Sequence, residues 1–521
     1  MQTDSIFRAT PSLDFKTLLR RMAHSCEIQL SVYGGLSAFV YWLAFTRAYS
    51  LNEWWMSVHR TIAKSANYNA GAGITYTLGF VVLFVLYFLA LRCAKFESTP
   101  RVLATIAATT LVLNLPLLFL YPVDSADIFD NIIRGRMTGV YGLNPFAEFP
   151  NAVSRDPFYL YAAWKYFPSA YGPLWELVAS ASAFVAGNTI LANVFVFKFL
   201  SVASYLGIAW LVVQILQTLA PARAAYGAVF VLWNPLMLYT TAGNGHNDAV
   251  MMLCVVAGFY FLTRRHFSLA VLAHVAGALI KFIPALFIPF MFLAAWNALP
   301  NLRARMKFML VTTLASALVI FVSYARFWNG QFLNLDWRWD LYTTSLSTWA
   351  WFTLQNFFEP KLAALLTSRA GYVLLGAWML RELFWLWKRR RETFNAENYV
   401  RAALSLLLVY LLVTISWFQT WYVVWLIPLA ALLPDGFVTR GVLLFCGAAL
   451  WKMPLYDFVL FRNVRPAPPQ WWREMWITLG VMSGLWIYFG WGVMRRLRAT
   501  RMKYIRQPKH ETALRRLEAS E

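Results

Sequence analysis

The chain has 521 residues, of which 60% are hydrophobic and only 13% charged, about half the charged fraction of a soluble protein of that size. Long uncharged runs recur from end to end, which excludes a soluble globular domain and predicts an all-α polytopic membrane protein. The net charge of +22 does not point to nucleic acid, because the basic residues flank apolar runs and form no compact basic domain.

In chain order, residues 1–27 read as a cytoplasmic basic arm carrying Arg8, Lys16, Arg20 and Arg21, and the apolar run from Ile28 reads as a first span, not a cleaved signal. Candidate spans follow at 28–48, 74–94, 102–121, 171–187, 193–217, 224–242, 247–263, 267–296, 307–325, 370–387, 400–417, 419–433, 441–456 and 474–494. Allowing for the short ones, we expect about 12–14 transmembrane helices. A cytoplasmic N-terminus sends 122–170 to the outer face, and 326–345 falls outside too, bracketed by basic clusters at 303–307 and 388–391. "LSTWAWFTLQNFF" (346–358) is too short to span and reads as interfacial or re-entrant. The middle has two readings. One leaves Arg264, Arg265 and His266 outside, against the positive-inside rule; the other splits 267–296 at Pro284 and puts "GNGHND" (243–248) outside. The transmembrane domain thus covers 28–494, and 495–521 reads as a basic, partly helical cytoplasmic tail. Cys26, Cys93, Cys254 and Cys446 show no CxxC or zinc spacing and are expected to be separate apolar fillers.

The outer loop holds the densest charge. In "YPVDSADIFDNIIRGRMTGVYGLNPF" (121–146), three aspartates and two arginines fall within thirteen residues. Placed on a helix from 124 to 138, Asp124, Asp127, Asp130, Asn131 and Arg134 share an arc of about 120°, with Ile128, Phe129, Ile132 and Ile133 opposite. The pattern predicts an interfacial helix, apolar side toward lipid and carboxylates toward water, broken at Gly139 and Gly142. A connector of that kind needs no function, but carboxylates beside arginines at a membrane surface suit a phosphate-bearing lipid: arginine neutralises the phosphate and a carboxylate takes a proton.

Four further stretches break apolar spans with Pro, Gly or polar residues: "YGPLWE" (171–176), "WNPLMLY" (233–239) running into "GNGHND", "IKFIPALFIP" (280–289) and "QTWYVVWLIPL" (419–429). Such breaks are tolerated where the backbone is buried in protein or lines a cavity. Lys281, inside an apolar run, is either a functional cation or a lysine snorkelling from a helix break.

"SADIFDNIIRGRMTGVYGLNPF", then "YGPLW", "NPLMLYTTAGNGHND" and "IKFIP", in that order, resemble the polyprenol-phosphate-mannose-dependent mannosyltransferases that build bacterial envelope lipoglycans. More broadly the chain resembles the polytopic C-type glycosyltransferase fold, over Val102 to Pro289 with an echo at "TWYVVWLIPL". In that family an aspartate at the start of the first large external loop is the proposed base. The matching residue is Asp127, with Arg134 and Arg136 in "RGR" and Asn144 and Pro145 in "GLNPF"; Asp124 is an additional carboxylate.

Resemblance and chemistry together imply transfer of a hexose, mannose by the resemblance, from a polyprenyl-phosphate donor to a hydroxyl of a glycan or glycolipid acceptor outside the membrane, with inversion. Asp127 is the expected base, with Asp124 as second catalytic carboxylate; Arg134, Arg136 and Lys281 are expected at the donor phosphate. Asn144, Tyr171, Glu176, His246, Asn247 and Asp248 are expected to contact substrate. We expect no metal and no cofactor, since two carboxylates without histidine make a weak metal site and no Gly-rich phosphate loop follows a strand. The rival from another class is a transporter or flippase for a lipid-linked saccharide, which would show repeat halves with charges at the bilayer midplane. Charge concentrated in one external loop favours the enzyme. A ligase moving a whole oligosaccharide or a phospho-group is a second enzymatic rival.

Overall fold

The computed structural model describes residues 25–56, 61–330, 336–461 and 469–518, the last by backbone alone beyond 495. The arm expected at 1–27 lies outside the described residues as far as residue 24. Among the described residues the protein is all-helical, and nine helices are long and apolar enough to cross a membrane. They include α1 (Cys26–Tyr41, continued to Thr46), α2 (Ala70–Ala94), α3 (Pro100–Leu118) and α6 (Ile190–Leu219). Six apolar helices of 10–17 residues lie among them, such as α5 (Pro173–Ala186), α8 (Asp248–Thr263) and α9 (Phe267–Ala278). These short helices fall where Pro or polar residues interrupt the expected spans, so among the described residues nine helices of spanning length stand against the 12–14 expected.

Local sequence sets the ends. Thr99 caps α3 by accepting the Val102 N–H at 3.2 Å, with Pro100 in the first turn. In "WNPLMLY", α7 (Ala224–Leu232) stops and buried Asn234 caps the next turn by accepting from Leu236 and Met237 N–H. All of α7 is buried, as a helix apolar on every side must be. The run 267–296 is split as one reading required, but before Pro284: α9 ends at Ala278, the chain turns through 279–282, and α10 (Ile288–Ala298) resumes. The Gly172 and Leu174 N–H groups donate to the Ile280 and Leu279 carbonyls, both at 3.0 Å, so "YGPLW" and "IKFIP" are joined backbone to backbone. A Cβ on Gly172 would overlap the Leu279 carbonyl.

The polar loops gather at two ends of the bundle. Lys95 pairs with Asp435 at 2.7 Å, Arg223 with Glu397 at 3.6 Å, and Arg265 stands 5.3 Å over the Phe394 ring. The basic connections around 95, 223, 265, 394 and 435 thus share one end. At the other, the Asp124 N–H donates to Asn244 Oδ1 at 2.9 Å, so "GNGHND" sits with the acidic loop and Arg264–His266 sit opposite, which restores the positive-inside pattern.

Two expectations are corrected. Helix α4 (Asp127–Gly139) does not lie on the surface with its carboxylates in water: Ile128 through Thr138 are all buried. Residues 140–172 fold back over its polar side, and α5 packs so closely that a Cβ on Gly139 would stand 2.8 Å from Ser180 Oγ. Asp124 precedes the helix instead of sharing its face. The cysteines are not all separate either, for Cys26 on α1 and Cys93 on α2 stand side by side, with Cα atoms 5.7 Å apart.

Candidate active site

Asp127 opens α4, and with Asp130 it is one of two acidic side chains lining a pocket of about 230 Å³. Ser125 Oγ donates to its Oδ1 at 2.7 Å and accepts its N–H at 3.0 Å. Tyr171 OH donates to Oδ2 at 3.4 Å, and His246 Nδ1 lies 3.7 Å from the same oxygen. The side chain is 18% exposed, toward the pocket. His246 stacks on Trp421 with ring centroids 4.2 Å apart, and its Nε2 has no partner among the described residues. Burial lowers its pKa, against the pull of Asp127, and so favours neutral imidazole.

Lys281, carried by the turn after α9, donates to Asp248 Oδ1 at 2.7 Å. Its ammonium stands 4.8 Å from the Tyr422 ring centroid and 5.4 Å from that of Trp425. Asp248 is fully buried and also accepts from the Trp425 indole at 2.6 Å. Arg134 donates to the Phe167 and Trp164 carbonyls, and its Nη1 has no partner among the described residues. Asp130, one turn before it, accepts the Ala163 and Trp164 N–H groups; burial raises its pKa to about 7, with Arg134 opposing. Arg134, Lys281 and Arg338 therefore bring three cations to a pocket that also holds Asp127 and Asp130.

Of the residues singled out in the sequence, Asp127, Arg134, Tyr171 and Lys281 line the pocket, with His246 and Asp248 directly behind. Others are held elsewhere. Arg136 is buried against Asp156 at 2.8 Å, Asn188 and the Phe158 ring. Asn144 ties its turn to the Phe327 carbonyl at 2.9 Å. Glu176 is buried and accepts from Ser169 Oγ, and Asn247 is the buried residue preceding α8. Asp124 does not line the pocket; burial raises its carboxyl to about 7, with Lys452 opposing and Asp127 and Asp457 reinforcing. Among the described residues no three His, Cys, Asp or Glu side chains form a group that could hold a metal ion.

A family model described as alpha-(1→6)-mannopyranosyltransferase, N-terminal domain, matches residues 31–297. The chain belongs to this family. It is a mannosyltransferase. Alpha-(1→6)-mannopyranosyltransferase A of Mycobacterium tuberculosis is 23% identical to it over 405 residues, covering 73% of this chain and 74% of that one. Alpha-(1→6)-mannopyranosyltransferase A of Corynebacterium glutamicum is 26% identical over 190 residues, 36% and 38% of the two chains.

The mannosyltransferase's pocket does not end where the family match ends. Its second wall is built by Trp337, Arg338 and Leu341 and by Trp417, Gln419, Trp421 and Tyr422. Sequence reasoning placed Arg338 outside the membrane without nominating it; the signal was "WRWD" (337–340), a cation between aromatic residues in an outer loop. Lys198 was missed as well. Fully buried in α6, it donates to the Leu117, Leu118 and Leu120 carbonyls and so fixes the exit of α3 into the acidic loop.

Proposed function

We propose that this multi-pass mannosyltransferase moves one mannose from a polyprenyl-phosphate carrier to a hydroxyl of a glycan or glycolipid acceptor on the extracytoplasmic side. The observation that carries the reading is the convergence of Asp127 with Arg134, Lys281 and Arg338 in one pocket of an apolar helical bundle. The basic connections around 95, 223 and 265 lie at the opposite end, which by the positive-inside rule faces the cytoplasm.

In this mechanism the acceptor hydroxyl attacks the anomeric carbon, its proton passes to Asp127, and the bond from that carbon to the phosphate oxygen breaks. The carrier leaves as a phosphate monoester with one more negative charge than it had as the diester, and the three cations receive it. Phosphate needs no proton to leave, so one carboxylate is enough. Ser125 and Tyr171 hold that carboxylate toward the pocket. Attack opposite the phosphate inverts the anomeric centre, so an alpha product, as the relatives' names record, requires a beta-linked donor. The same names favour a 6-hydroxyl acceptor.

Purified protein supplied with radiolabelled mannose on polyprenyl phosphate and a mannoside acceptor should form the glycosidic product, and GDP-mannose without carrier lipid should not replace the donor. Efficient transfer from GDP-mannose overturns the donor assignment. Carrier movement across a vesicle membrane without product supports the flippase instead.

A further inference from the structure

The pocket's second wall hangs on a very short splice. The Thr343 N–H donates to the Ser416 carbonyl at 2.9 Å, and the Phe418 N–H donates to the Thr343 carbonyl at 3.1 Å. This is an isolated bridge with no neighbouring strand among the described residues, far below the size at which a sheet holds itself. Thr344, next to it, is a β-branched residue at φ +51°, a conformation that persists only where the surroundings enforce it. The chain runs from this splice to Arg338 on one side and to Trp421 and Tyr422 on the other.

Two charged side chains from the last two membrane helices hold it from behind, and neither lines the pocket. On α17 (Gln470–Glu518), buried Glu474 accepts from the Thr343 hydroxyl at 2.7 Å and from the strained Thr344 N–H at 3.3 Å. On α16 (Phe437–Met453), Lys452 donates to the Phe418 carbonyl at 2.7 Å and to Gln419 Oε1 at 3.2 Å. Lys452 also faces Glu474, Asp457 and Asp124, the last three residues ahead of Asp127. Charges in a membrane bundle are costly and add little net stability, so what they specify is position.

We infer that Glu474 and Lys452 are positioning residues for the mannosyl donor, holding the Thr343–Phe418 splice so that Arg338 and Tyr422 face Asp127 across the pocket. The inference rests on the proposed donor for its kinetic part only. Glu474→Gln keeps an acceptor oxygen for Thr343 and Thr344, whereas Glu474→Ala removes it.

Hydrogen exchange on the full-length protein reads the splice without any substrate. Glu474→Ala should lose protection in segments 337–345 and 415–423 with the rest unchanged, and Glu474→Gln should keep it; unchanged protection in Glu474→Ala overturns the inference. Should Glu474→Ala fail to fold, Thr343→Val, which removes one hydroxyl, makes the same comparison. With lipid-linked mannose, Glu474→Ala should raise KM about tenfold with a smaller change in kcat, the scale of a lost charge-assisted hydrogen bond, and Glu474→Gln should restore it. In an Arg338→Ala background the same change should add less than about twofold, since the side chain it positions is gone. Additive effects, or loss of folded protein at unchanged KM, contradict the positioning role. If the donor assignment alone is wrong, the exchange result stands and the wild type gives no turnover.

Discussion

Replacing Lys281 by methionine separates what the pocket's lysine does for the fold from what it does for the donor. Its partner Asp248 is wholly buried; Oδ1 accepts from Lys281 and from the Trp425 indole, and Oδ2 has no partner among the described residues. Methionine keeps the length of the side chain and its packing against Tyr422 and Trp425 but leaves a buried carboxylate with a single hydrogen bond. Removing one member of a buried pair costs roughly 3–5 kcal/mol, most of it from the stranded charge. Lys281→Met should therefore melt well below wild type in detergent, followed by fluorescence-detected size exclusion after heating. Adding Asp248→Asn removes the stranded charge and should recover most of the loss. On the proposed mechanism donor KM should stay raised in both variants, because the ammonium assigned to the phosphate is absent from each. A single variant as stable as wild type, or a double variant with normal KM, refutes the reasoning.

Arg136, although part of the same "RGR", should behave as a structural residue. Arg136→Met strands buried Asp156 and should lower folded yield by a cost of roughly 3–5 kcal/mol, while KM of the surviving enzyme stays within about twofold. Asp130 should give the stability a pH slope. Burial raises its folded pKa to about 7, against about 3.9 in the unfolded chain. Its contribution is complete below pH ~4 and is lost as pH rises to ~7, at no more than about 1.4 kcal/mol per unit. Melting temperature followed across that window should fall less steeply in Asp130→Asn, and an identical slope refutes this.

The membrane architecture was legible because lipid as solvent leaves long apolar runs as its signature, and the breaks in those runs were legible as cavity walls: Tyr171, His246, Lys281 and Trp421 all come from such breaks and converge on Asp127. What the motifs hid was facing. Arg134 and Arg136 lie two residues apart on α4, about 200° around a helix, so they cannot both reach one pocket; Arg134 does and Arg136 pairs with Asp156. The interfacial reading of α4 failed because a polar helix face can be covered by protein as well as by water, and 140–172 supply that cover. Trp417 was out of reach because the isolated bridge it forms with Thr343 leaves no periodic pattern, whereas Arg338 carried a signal in "WRWD" that only its place opposite Asp127 makes meaningful. The Cys26–Cys93 pair, separated by 67 residues, likewise has no spacing signal.

The most direct test of the account is mannose transfer from radiolabelled polyprenyl-phosphate-mannose by purified wild type and Asp127→Asn, with Asp124→Asn alongside. The amide keeps the size of the side chain and one of the two acceptor oxygens that Ser125 and Tyr171 use separately, but it cannot take a proton. Asp127→Asn should be slower by roughly two to four orders of magnitude, with donor KM near normal and folded yield unchanged, and Asp124→Asn should keep substantial turnover because Asp124 does not line the pocket. Wild-type turnover in Asp127→Asn contradicts the central claim, and a dead Asp124→Asn beside it assigns the base to the other aspartate.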